Sequence, residues 1–136
     1  MMFLTPNFGT IIEEYSALFP DAVLTCRTNR IHHLSKQLYP VGDANTIIDC
    51  LTIADNIKHI RTVTEIKPGE GMSGFLMVIP KKIWFKIPFI ENGGCLGVDS
   101  QFRIDLHNAG IKIYIMDGML VYHQYRLLTN NKNHLL

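Results

Sequence analysis

Apolar residues recur along this chain at two periods, and the switches between them outline its elements. Ile11, Tyr15 and Leu18 fall at spacings of four and three, which predicts a helix. Thr10 and Glu13 stand as a capping box at its start, and Pro20-Asp21 ends it. Ala22 to Cys26 is a short apolar run that reads as a buried strand, with a possible earlier strand at Met2 to Leu4. Residues 26–43 are basic and polar, and read as a long irregular segment closed by Pro40 and Gly42. A second helix, capped by Asp43, carries Ile47, Leu51 and Ala54 on its apolar face, with Lys58 and His59 in the last turn.

Alternation returns further on. Arg61 to Ile66 predicts a half-exposed strand and Ser73 to Ile79 a strongly apolar one. Pro80 closes the latter, and Lys81 to Lys86 suits a short helix. Residues 87–97 hold Pro88, Gly93, Gly94 and Gly97, a loop rich in conformational freedom. Asp99 opens a third long helix, with Phe102, Leu106 and Ala109 on one face and Gly110 as a left-handed stop. Ile111 to Met116 and Met119 to Tyr122 read as two strands joined by a tight turn at Asp117-Gly118. Helices alternating with strands imply an α/β fold in one domain spanning 1–136, with 127–136 as a tail.

Composition narrows the function classes. The hydrophobic share of 47% against 18% charged residues excludes a disordered chain. A net charge of +1 leaves no broad basic face, so nucleic acid is not the expected partner. Cys26, Cys50 and Cys95 are odd in number, widely spaced and without a zinc motif, which fits a reducing, cytoplasmic setting. No apolar run reaches the length of a membrane span, and Met1 to Leu4 lacks a basic leader.

The candidate chemistry sits where elements end. Asp99 at a helix start reads either as a simple N-cap or as a general base. His123 at a strand end reads either as a half-buried residue bonded to backbone or as a ligand-facing imidazole. Gly74 inside an apolar run marks a bulge or a close approach by a ligand or another backbone. Ser73 beside it is a surface serine or a substrate contact. Arg30 is an exposed loop residue or a clamp for phosphate or carboxylate. His32 and His33 are adjacent and lack the spacing of a helical metal pair. Residues 81–90, KKIWFKIPFI, either pack Trp84 and Phe85 inward or rest on a membrane surface.

Taken in order, SGFLMVIPKKIWFKI, a glycine loop and GVDSQFRIDLHNAGIKIYIMDGMLVYHQYR resemble the C-terminal half of a GT-A glycosyltransferase of the family 2 type. Ser73-Gly74-Phe75 resembles that family's glycine loop, Val98-Asp99 its acidic motif and Tyr122-His123 its late histidine. Residues 3–30 resemble the segment after the metal motif more loosely. Val98 stands where the family has a second acid, and no Asp-x-Asp motif occurs in the chain.

The resemblance implies a partial GT-A fold, Rossmann-like, with a mixed sheet flanked by helices, whose first half would lie upstream of residue 1. It implies transfer of a sugar from a nucleotide-sugar donor to a glycan or lipid-linked acceptor, with inversion. Asp99 would be the general base, His123 one ligand of Mn²⁺ or Mg²⁺, and Ser73, Gly74 and Arg30 substrate contacts. The rival expectation is a non-catalytic α/β binding module that self-associates through an exposed sheet edge.

Overall fold

The computed structural model describes residues 1–40, 46–90 and 97–124. The expected Asp43 cap, Cys95, Gly93, Gly94 and the tail from 127 lie outside them. The chain forms an α/β fold with a four-stranded mixed sheet flanked by helices.

The organising element is β4 (Ile113–Tyr122), the last strand among the described residues. On one side it pairs in parallel with β2 (Val23–Thr28). On the other it takes two short antiparallel partners in succession. β3 (Val63–Glu65) lies beside Tyr114 to Met116, and β1 (Met2–Phe3) lies beside Val121 and Tyr122.

This corrects the expected hairpin at Asp117-Gly118: the chain stays in one strand there. Cys26 pairs with Met116, but Arg27 pairs with Leu120, so Asp117, Gly118 and Met119 bulge out of the ladder. Side-chain bonds hold the bulge. The Asp117 carboxylate accepts from Arg27 Nη2 at 2.6 Å, Thr64 Oγ1 at 2.8 Å and Thr62 Oγ1 at 3.0 Å. The Gly118 N–H donates to the fully buried Tyr15 hydroxyl at 2.9 Å, and a Cβ on Gly118 would lie 2.2 Å from the Ile60 carbonyl oxygen. An Asp-Gly pair therefore serves a bulge here as readily as a turn.

Two helix starts differ from expectation. Helix α1 (Phe8–Leu18) begins before Thr10, with Asn7 at its N-cap, and Leu18 is exposed while Ile11 and Tyr15 are buried. Helix α2 (Ile47–Ile57) is capped by Thr46, in a reciprocal box with Asp49. Its buried face is Cys50, Ala54 and Ile57, turned by about 60° from the expected Ile47, Leu51 and Ala54. Asp49, Thr52, Asp55 and Asn56 share the opposite face, and within the broad apolar arc that remains the small side chains, which allow close approach to β4, decide which residues go inward.

Ser73 to Ile79 is not a ladder strand. It crosses the outer edge of β2, making only a Leu24–Val78 pair of backbone bonds (3.0 and 2.8 Å), and the Thr25 hydroxyl donates to the Leu76 carbonyl at 2.8 Å. Its apolar side chains still reach the core: Met77 and Ile79 on one side of the sheet, Phe75, Leu76 and Val78 on the other.

Helix α3 (Lys81–Lys86) buries Ile83, and α4 (Val98–Asn108) buries Phe102 and Leu106, both against Val23, Ile113 and Ile115. The opposite face packs α1 on Leu24, Cys26 and Met116. Gly110 (φ 73°) ends α4 as expected, with the Ile111 N–H donating to the Leu106 carbonyl. No helix among the described residues is long and apolar enough to cross a membrane.

Candidate functional site

Asp99 and His123, 24 positions apart in sequence, line one cavity of about 500 Å³ together with Ser73, Gly74 and Phe75. Each is placed by its own local chemistry. Gly97, in a left-handed conformation (φ 91°), turns the chain into α4 and leaves Asp99 in the helix's first turn. A carboxylate suits that end of the helix dipole. It is not the side-chain cap expected from sequence. Its Oδ2 accepts instead from the Gly74 N–H at 2.9 Å, and its Oδ1 from the Ser100 N–H at 2.9 Å. The remaining carboxylate lone pairs are the basic sites.

Gly74 is a glycine for the same reason. A Cβ there would lie 2.9 Å from Asp99 Cβ and 3.4 Å from Oδ2. The group that approaches is the Asp99 side chain, neither the ligand nor the second backbone that a glycine in an apolar run suggests.

His123 leaves the end of β4. Its backbone N–H donates to Asn29 Oδ1 at 2.7 Å, and its Nδ1 lies 3.2 Å from the Arg30 carbonyl. A carbonyl only accepts, so Nδ1 carries the proton and the neutral ring holds its lone pair on Nε2. Burial pushes the His123 pKa below the ordinary histidine value; the Arg30 carbonyl opposes that shift and the N-terminal charge adds to it. The ring stacks on Phe75 with centroids 5.4 Å apart.

A second cavity, of about 390 Å³, also has Ser73 and Asp99 in its lining and is otherwise walled by Ile31, His32, Leu34 and Met72. Asp99 and Ser73 thus belong to a wall common to both spaces. Arg30 is not the exposed loop residue of one reading: it is 7% exposed, lines neither cavity, and supplies its carbonyl to His123. The His32 and His33 rings lie side by side, 4.4 Å between centroids.

Gln37 is the residue that sequence reasoning missed. Fully buried, it donates through Nε2 to Thr25 Oγ1 at 2.8 Å and to the Ser73 carbonyl at 3.2 Å, while its Oε1 accepts from the Ser73 N–H at 2.8 Å. One amide thereby satisfies both backbone groups of Ser73 and fixes a residue that lines both cavities. Its partner lies 36 residues away, and nothing in the local pattern marks it. The long segment after β2 is likewise packed, with Asn29 and Arg30 buried as well.

Neither buried cysteine suits nucleophilic work. Burial pushes the Cys26 thiol far up and the Cys50 thiol to about 11. Among the described residues no group of three or more His, Cys, Asp or Glu side chains is placed to hold a metal ion. Among the described residues His123 therefore stands in no such group. No family model matches the chain, and neither a curated protein nor a solved structure matches it.

Proposed function

We propose that this chain carries the acceptor-activating side of a cytoplasmic, GT-A-like glycosyltransferase, with Asp99 as general base. The observation that supports the reading is the position of Asp99 in the wall shared by two cavities, one of them also lined by His123. A transferase must bring two substrates to one carboxylate. In this reading the sugar nucleotide lies in the larger cavity and the acceptor hydroxyl in the smaller. Asp99 takes the hydroxyl proton as the acceptor oxygen bonds the anomeric carbon. The bond from that carbon to the nucleoside diphosphate breaks on the opposite face, which gives inversion.

The other residues position the reactants. The Ser73 hydroxyl bonds the donor sugar, and Gly74 gives its N–H to Asp99, holding the carboxylate toward the wall. His123, fixed by Phe75, Asn29 and Arg30, closes the donor side as a neutral imidazole.

The test pairs binding with turnover. Saturation-transfer NMR with a panel of sugar nucleotides is expected to show donor binding by the wild type and by Asp99→Asn. Transfer to glycan and lipid-linked acceptors is expected to fall by about 10²-fold or more in the variant, the scale of a lost general base. Near-wild-type transfer by Asp99→Asn would remove the base assignment. Absence of any donor binding by the wild type would remove the transferase reading.

A further inference from the structure

On a helix rotating about 100° per residue, the side chain two positions after a buried one points away from the core. In α3 that residue is Phe85. Ile83 is 5% exposed and faces the core, while Phe85 is 74% exposed. The helix is therefore amphipathic with an aromatic ring at its outermost point.

A cation lies over that ring, and two more share its helix. The Lys81 ammonium lies 5.7 Å from the Phe85 ring centre, and Lys82 and Lys86 are exposed. Lys82 also pairs with Asp21, at an exposed surface where such a pair is weak and exchangeable. Trp84, edge-on to Phe89, and Ile90 extend the apolar surface. Residues 80–90 contain no Asp or Glu. An exposed ring with Lys81 over it, two more exposed lysines on the same short helix and no acid in the segment, is complementary to an apolar layer beneath anionic headgroups.

We propose that this face of α3 docks on an anionic lipid bilayer, with Phe85 entering the headgroup boundary and Lys81, Lys82 and Lys86 meeting lipid phosphates. The inference is independent of the transferase reading, because the patch contains neither Asp99 nor His123.

Trp84 is the chain's only tryptophan and adjoins Phe85, so it reports directly. The full chain is mixed with vesicles of phosphatidylcholine alone, and of phosphatidylcholine with phosphatidylglycerol. A blue shift of Trp84 emission and co-sedimentation are expected with the anionic vesicles only, reversed by salt. Phe85→Ser should weaken sedimentation by about tenfold or more, the scale of one buried aromatic side chain. Lys81→Gln should weaken it by about fivefold. Ile48→Ser, exposed on α2, should leave it unchanged. Binding of Phe85→Ser equal to wild type overturns the proposal. So does an absence of any vesicle response, the result expected if this face met a protein groove instead.

Discussion

Replacing Gly74 with alanine tests the contact on which the shared wall is built. Gly74 does not have a positive φ, so the backbone accepts alanine and the effect is steric. The new methyl would lie 2.9 Å from Asp99 Cβ and 3.3 Å from Met77 Cε. The methionine end can swing aside, but the Asp99 Cβ is part of the first turn of α4. Carbon atoms pack at about 3.5–4.0 Å, so one segment must move by roughly 0.6 Å or more. That movement stretches the Gly74 N–H bond to the carboxylate, now 2.9 Å. Overpacking costs about 1–3 kcal/mol and a bond to a charged acceptor is worth about 1.5–3 kcal/mol; because the two losses overlap, we expect about 2–3 kcal/mol in all.

The assay is urea unfolding followed by circular dichroism. With a slope of about 2 kcal/mol/M, the midpoint should fall by about 1 M. Asp99→Gly removes the obstructing Cβ, so Gly74→Ala in that background should be neutral or slightly stabilising, with a coupling energy of about 2–3 kcal/mol. A loss under about 0.5 kcal/mol for Gly74→Ala alone, the range of ordinary surface changes, would refute the contact.

Three further outcomes are expected. Gln37→Ala leaves both backbone groups of Ser73 without their partner and should cost about 2–4 kcal/mol in the same assay, with the Ser73 amide losing hydrogen-exchange protection. Tyr15→Phe strands the buried Gly118 N–H and should cost about 1–3 kcal/mol by calorimetry; an unchanged melting temperature would show that the hydroxyl does not hold the bulge. The His123 pKa is lowered on folding, so between the ordinary histidine value and that lower value the unfolded chain binds more protons. Stability contributed by neutral His123 is therefore complete above about pH 6.5 and declines as the solution is acidified through that window; His123→Gln should flatten that part of the pH profile.

Most of the framework was legible because it depends on local periodicity. The α1 face at Ile11 and Tyr15, the α4 face at Phe102 and Leu106, and the Gly110 stop follow from spacing and from one residue's backbone preference. What was not legible depends on distant partners. Asp117-Gly118 has the chemistry of a turn, and only Tyr15, Arg27 and the Ile60 carbonyl make it a bulge. Ser73 to Ile79 has the composition of a strand, but β4 already occupies the inner edge of β2, and the segment bonds only briefly to the outer one. Trp84 and Phe85 were weighed as core residues, yet Ile83 alone fills the inward position of so short a helix. In the site, the pairing of Asp99 with His123 was anticipated, while Gln37 as clamp and the Arg30 carbonyl as partner of the imidazole were not.

The way the sheet is wired has a consequence for synthesis. β1, β2 and β3 each pair with β4 and with no other named strand, and β4 is the last of them to be made. A nascent chain that has emerged only through α4 owns three strands and no ladder to put them in. Sheet closure must wait for about the final tenth of the described sequence, and its ring closures span up to the full distance from Met2 to Tyr122. Nascent chains stalled before residue 113 should remain protease-sensitive and chaperone-bound, and release of the last strand should convert the whole molecule in one cooperative step.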